Sequence, residues 1–190
     1  MRRAAAATAL LAACKAGAPL APAPRSPRGE AAEPVRIFVV GTNDVHGHVV
    51  PHEEPGRPGG LAVFAGFMRV LREESGGAVV LADAGDLFQG TLESNLSEGA
   101  VMVRAYAALG YHGVAVGNHE FDFGPEGERS VAGPDDDPVG ALRARAAEAP
   151  FPLLSANILE RATGRPPPWL KPWTAVEVRG VKVGLAGLTT

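Results

Sequence analysis

The chain has 190 residues, with 18 Lys and Arg against 21 Asp and Glu and a formal net charge of −3. That balance argues against the basic stripe of a nucleic-acid surface, but it leaves open a small phosphate ester, because bound metal ions dominate the field of such a site. A single cysteine excludes an intramolecular disulfide, and no stretch beyond the N-terminus approaches the ~18 apolar residues needed to span a bilayer.

The first segment reads as a processing signal. Arg2 and Arg3 form a charged region, Ala4 to Ala13 a short apolar run, and small residues lead into Cys14. Leu11-Ala12-Ala13-Cys14 looks like a bacterial lipobox, with Cys14 as the lipidated residue after cleavage. The alternative is an ordinary secretory signal with an incidental cysteine. Residues 15–34 are rich in Ala, Pro, Arg and Gly without periodicity, which reads as a tether. The expected organisation is therefore a signal at 1–14, a tether at 15–34 and a globular part at 35–190. The protein is expected to be exported, as a periplasmic or surface lipoprotein of the cell envelope whose one membrane contact is a lipid on Cys14.

Within the globular part, Val35 to Val40 is an apolar run that reads as a buried strand. Leu61 to Glu74 has apolar residues at 61, 64, 67, 68 and 71, which is helical spacing, and Ser75-Gly76-Gly77 ends it. Ala78 to Leu81 predicts a second strand, Glu98 to Leu109 a helix ended by Gly110, and Val114 to Val116 a third strand. Gly124 to Asp137 is acidic and rich in Gly and Pro, a surface loop. Its Asp135-Asp136-Asp137 run lacks the alternating ligand spacing of a calcium loop and reads as a solvated turn. Pro138 to Glu148 predicts a helix and Leu153 to Ser155 a strand. Arg165 to Trp173 is irregular because of its prolines. Thr174 to Val178 and Val181 to Leu185 alternate around Arg179-Gly180, a hairpin signal. Strands alternating with helices favour an α/β sandwich with parallel strands at its centre.

Three segments carry the chemistry: Thr42-Asn43-Asp44-Val45-His46-Gly47, Gly85-Asp86-Leu87-Phe88-Gln89-Gly90 and Gly117-Asn118-His119-Glu120-Phe121-Asp122. Each follows one of the first three strands. Carboxylate, imidazole and amide groups thus gather at strand ends, where ligand sites of α/β sheets form. The spacing of Asp44-x-His46 puts both side chains on one face of an extended segment. Oxygen and nitrogen ligands without thiolate suit Mn, Zn, Fe or Co.

These segments, extended to His48 in the first, resemble the metal-binding motifs of calcineurin-like metallophosphoesterases, specifically the bacterial 5'-nucleotidase and UDP-sugar hydrolase family. Pro152-Leu153-Leu154-Ser155-Ala156-Asn157 and the run from Gly180 to Thr190 share the likeness, which covers roughly 35–190. The resemblance implies a β-sandwich flanked by helices, incomplete at its C-terminus. It implies a dinuclear-metal phosphohydrolase that releases phosphate from nucleotides by in-line attack of metal-activated hydroxide. It also implies roles for individual residues. Asp44 and His46 bind the first ion, Asp86 bridges both, and Asn118 gives a neutral oxygen to the second. His119 protonates or stabilises the leaving oxygen, with Asp122 orienting its imidazole.

Other polar residues stay open. Asn157 either reaches the cleft rim or caps a turn, His48 either supports the site or sits at the surface, and Asp83 either bonds a ligand or ends its strand. His52 reads as solvated, His112 belongs to no motif, and Trp169 and Trp173 are expected to pack the irregular segment. The family's site takes further histidines from later strands, whereas the five here are His46, His48, His52, His112 and His119. The chain is therefore expected to be the N-terminal part of a longer enzyme, inactive by itself. The competing expectations are a non-enzymatic lipoprotein remnant, and a cyclic-nucleotide phosphodiesterase or sulfur-ester hydrolase sharing these motifs.

Overall fold

A computed structural model describes residues 34–51, 59–129 and 131–190. The expected signal with Cys14, the expected tether up to residue 33, and the loop residue His52 lie outside the described residues. Four strands form a parallel sheet in the order β1-β2-β3-β4: Phe38–Thr42, Val79–Asp83, Gly113–Ala115 and Leu153–Leu154. Phe38 lies opposite Val79 and Thr42 opposite Asp83, so the first two strands end level with each other.

Consecutive parallel strands in this order require crossovers, and right-handed crossovers place every helix on the same face. The connections are α1 (Gly60–Glu74), the pair α2 (Leu92–Asn95) and α3 (Ala100–Leu109), and α4 (Gly140–Glu148). Met68 of α1, Met102 and Tyr106 of α3, and Leu142 of α4 pack with Val79, Leu81, Val114 and Leu153 in one core. Alternate residues of β2 face the other way. Ala78 and Val80 meet Val178, flanked by Val176, Val183 and Leu185 of an antiparallel hairpin. Its strands are β5 (Trp173–Val178) and β6 (Val181–Ala186). Because β2 is covered on both faces, its sequence is an unbroken apolar run rather than an alternating one. At the hairpin turn Arg179 and Gly180 both have left-handed backbone, with φ of 54° and 77°, the conformation a two-residue turn of this hand requires.

The predicted α/β sandwich with central parallel strands is the observed architecture, with local differences. The first strand begins at Phe38, where its N–H reaches the Ala78 carbonyl at 2.8 Å, and it runs on to Thr42. The predicted helix from Glu98 begins at Ala100 instead, because Glu98 and Gly99 turn left-handed with φ of 47° and 82°. A separate one-turn helix, α2, precedes it, with Thr91 Oγ1 accepting from Ser94 N as N-cap. Trp169 packs against the core as expected. Trp173 instead occupies the first position of β5, 62% exposed. No helix of the described residues is long and apolar enough to cross a membrane.

Candidate metal centre

The C-terminal ends of β1, β2 and β3 release the three motif loops side by side, and backbone hydrogen bonds lace the first two together. Asp44 N donates to Gly85 O at 3.0 Å, His46 N to Asp86 O at 3.0 Å, and Gly47 N to Leu87 O at 2.9 Å. The lacing holds unusual backbone in place. Asp44, His46 and Asp86 all have positive φ, at 51°, 47° and 58°. For non-glycine residues such conformations cost of order 1 kcal/mol each and persist where the surroundings over-determine them.

Ligand atoms of His46, Asp86 and His119 lie within 4.8 Å of one another, a group able to hold a divalent ion. The His46 and His119 rings meet edge to face with centroids 5.1 Å apart. His46 Nδ1 sits 2.8 Å from the Gln89 carbonyl. This contact fixes the tautomer that carries hydrogen on Nδ1 and leaves Nε2 as the coordinating nitrogen. His119 Nδ1 likewise lies 2.6 Å from Asp122 Oδ2. That hydrogen bond, more than any other influence, raises the pKa of the His119 imidazole.

Asp44 stands outside the three-residue group. It is exposed, and its carboxylate accepts from the neighbouring Asn43 amide. Asn118 is exposed at the start of the short 3₁₀ turn His119–Phe121. The sequence-derived set is thus carried by one edge of the sheet, with His46, Asp86 and His119 closest together. Asp122 is attached to His119, and Asp44 and Asn118 stand in the adjoining loops.

Two buried carboxylates lie beneath these loops. Asp83 Oδ2 accepts from Thr42 Oγ1 at 2.5 Å and Tyr106 Oη at 2.8 Å, and Oδ1 accepts from Gly85 N at 2.7 Å. Tyr111 Oη lies 2.8 Å from Thr42 Oγ1, and its ring stacks on Tyr106 at 3.9 Å. Burial raises the Asp83 pKa against the opposing pull of these donors, and burial first, then the Asp83 charge, raises that of Tyr106. Asp83 therefore does more than end its strand: it ties β1 to β2 directly under the first two motifs. Glu120 is the second buried carboxylate, 1% exposed, and it accepts from four backbone amides. Its burial also raises its pKa, and those four hydrogen bonds oppose the shift. Sequence reasoning gave Glu120 no role, although it lies inside the third motif.

The remaining candidates resolve as supports. Asn157 clasps the Thr189 peptide, donating to its carbonyl at 2.6 Å and accepting from its N–H at 2.9 Å, while Thr189 Oγ1 donates to Val116 O at 2.6 Å. His112 Nδ1 lies against the backbone of Leu81. Asp136 and Asp137 of the acidic run pair with Arg129 and Arg143, as a solvated turn would.

Gly117 shows how little room separates the loops. A Cβ there would overlap Asp86 Oδ1 and come within 2.7 Å of Asp86 N. Gly117→Ala is expected to destabilise the fold by about 1–3 kcal/mol, the usual cost of overpacking, and to weaken metal binding by displacing Asp86. Urea denaturation and cobalt titration measure the two effects. An alanine variant with unchanged stability and affinity would show that the loops have slack.

The family model described as Calcineurin-like phosphoesterase matches residues 38–170. The protein UshA of Escherichia coli is 35% identical over 157 residues, which is 82% of this chain and 26% of that protein. A 5'-nucleotidase of Vibrio cholerae is 31% identical over 164 residues, 85% of this chain and 26% of its own length. The crystal structure of a 5'-nucleotidase precursor from Thermus thermophilus superimposes with a TM-score of 0.66 at 33% identity, covering 81% of this chain and 28% of the other. The chain spans about a quarter of the length of the curated relatives it matches.

Proposed function

The chain belongs to the calcineurin-like phosphoesterase family, and on that premise we propose that it carries the metal-binding motifs of a 5'-nucleotidase-type hydrolase acting on nucleotide phosphate esters. The observation that carries the reading is the convergence of His46, Asp86 and His119 at the C-terminal edge of the parallel sheet. The likeness to UshA and to 5'-nucleotidases supports the substrate class.

The donors present fit hard or borderline divalent ions: imidazole nitrogen and carboxylate and amide oxygen, without thiolate. Asp44 and His46 would hold one ion, Asp86 would bridge two, and Asn118 would give its amide oxygen to the second. When bound, such ions supply Lewis-acid polarisation of phosphoryl oxygens and acidify a water. The remaining work belongs to side chains. Asp122 raises the pKa of His119, and the ring nitrogen opposite that hydrogen bond is the one that would carry the transferable proton. From there His119 serves the departing ester oxygen as general acid. Asp122 fixes the ring by its 2.6 Å contact, so the proton is presented in one direction. Calorimetry with Mn, together with phosphate release from AMP by the whole protein, tests the reading. Uptake of metal with AMP hydrolysis is expected, and a whole protein that takes up metal yet leaves AMP intact would remove the nucleotidase assignment.

Export and anchoring form part of the same proposal, supported by the charged and apolar leader and the lipobox-like Leu11 to Cys14. In a Gram-negative host the protein is expected to incorporate radioactive palmitate and fractionate with membranes, and Cys14→Ser to abolish both. Equal labelling of the serine variant would eliminate the lipid anchor.

A further inference from the structure

We propose that Glu120 is a positioning residue whose buried carboxylate fixes the backbone from which Asp86 and Asn118 are presented to metal. The proposal rests on the reading of this edge of the sheet as a metal site.

The two oxygens of Glu120 divide their partners in a telling way. Oε1 accepts from Leu87 N at 2.7 Å and Phe88 N at 3.2 Å, both in the second motif loop. Oε2 accepts from Asp86 N at 2.9 Å and Gly117 N at 2.7 Å, which belong to the second and third loops. One oxygen therefore bridges the loop that carries Asp86 and the loop that carries Asn118 and His119. The successive amides of residues 86, 87 and 88 converge on this carboxylate, the concave arrangement of N–H groups that binds anions. Here the anion is part of the chain.

Convergence requires the left-handed backbone of Asp86, φ 58°. That conformation is sparsely populated for a residue with a side chain, and the charge of Glu120 is what gathers its amide and the next two. The lock is reciprocal. Glu120 takes the Asp86 N–H, and Asp86 Oδ1 in turn takes the His119 N–H at 3.0 Å. With one carboxylate oxygen of Asp86 committed to the third loop, the direction of the other is set by backbone rather than by rotamer choice. Supporting groups of this kind are worth roughly 10–100-fold in metal affinity.

Glutamine is the informative replacement. It keeps size and shape, but its NH₂ group would face amide donors where an oxygen now accepts, and a buried donor-to-donor contact cannot be satisfied. Aspartate keeps the charge but is one methylene shorter, too short to reach both loops at once. We would titrate the full chain, Glu120→Gln, Glu120→Asp and a core variant of similar thermal stability, Val103→Ala, with Co²⁺, recording calorimetric affinity and the visible ligand-field spectrum. The expected result is a roughly 10–100-fold weaker affinity and an altered spectrum for both Glu120 variants, with the parent affinity and spectrum retained by Val103→Ala. A folded Glu120→Gln with the parent affinity and spectrum overturns the proposal. If Glu120→Gln does not fold, a folded Glu120→Asp with parent values overturns it equally, as does a Val103→Ala variant that loses affinity and spectrum to the same extent. A parent chain that takes up no Co²⁺ would instead bring down the metal-site reading, and the positioning role with it.

Discussion

Asp86→Asn is expected to strip the site of metal, and with it the phosphohydrolase activity proposed for the whole protein. Asp86 is the one anionic member of the group it forms with His46 and His119. Changing it to an amide removes that charge from the carboxylate that both ions would share. Asn is nearly isosteric, and the backbone of residue 86 keeps its bond from His46 N and its own bond to Glu120, so the fold should survive. The affinity loss should exceed the roughly 10–100-fold that follows loss of a supporting hydrogen bond, because a ligand itself is altered. Calorimetric titration with Mn, alongside circular dichroism to establish folding, checks it. Parent-like affinity in a folded Asp86→Asn chain would contradict the bridging role.

His119→Asn is expected to separate binding from chemistry. Its ligand atom lies within 4.8 Å of those of Asp86 and His46, so distance alone is compatible with coordination. The role proposed for it is a different one: Asp122, 2.6 Å from one ring nitrogen, orients the ring and raises the pKa of the imidazole, as a proton donor requires. The variant should therefore keep its metal while turnover of AMP by the whole protein falls by about 10²–10⁴. The fall should shrink for p-nitrophenyl phosphate, whose leaving group departs without a proton. Loss of metal from His119→Asn, measured in the same calorimeter, would reassign His119 as a ligand.

Several elements were legible because their causes are local. The apolar spacing from 61 to 71 marks α1, which spans Gly60–Glu74. The unbroken apolar run before Asp83 marks β2, buried on both faces, and Arg179-Gly180 marks the hairpin turn. Boundaries shifted where non-local pairing or a turn intervened. β1 is displaced toward Thr42 because it pairs with β2 across that range. The helix after the second motif is divided because Glu98 and Gly99 leave the helical region.

Local sequence patterns dictate which residue types reach the carboxyl ends of the strands. Strand propensity, the turn residues behind each strand and the order of the motifs all act within a few positions, and together they place Asp44, Asp86 and Asn118 at loop starts. How those residues stand to one another follows from the packing of distant segments. His46 and His119 come within one ring contact across 73 positions, and Asp122 commits His119 to one orientation. Glu120 reads in sequence as one more acid beside a histidine. Folded, the 3₁₀ turn buries it against amides 32 to 34 positions earlier. Asp83 likewise becomes a hub only when Thr42 and Tyr106 arrive from other elements. The reason is physical: periodicity and propensity specify the conformation of a segment, whereas the satisfaction of a buried carboxylate depends on donors supplied by segments far away in the chain.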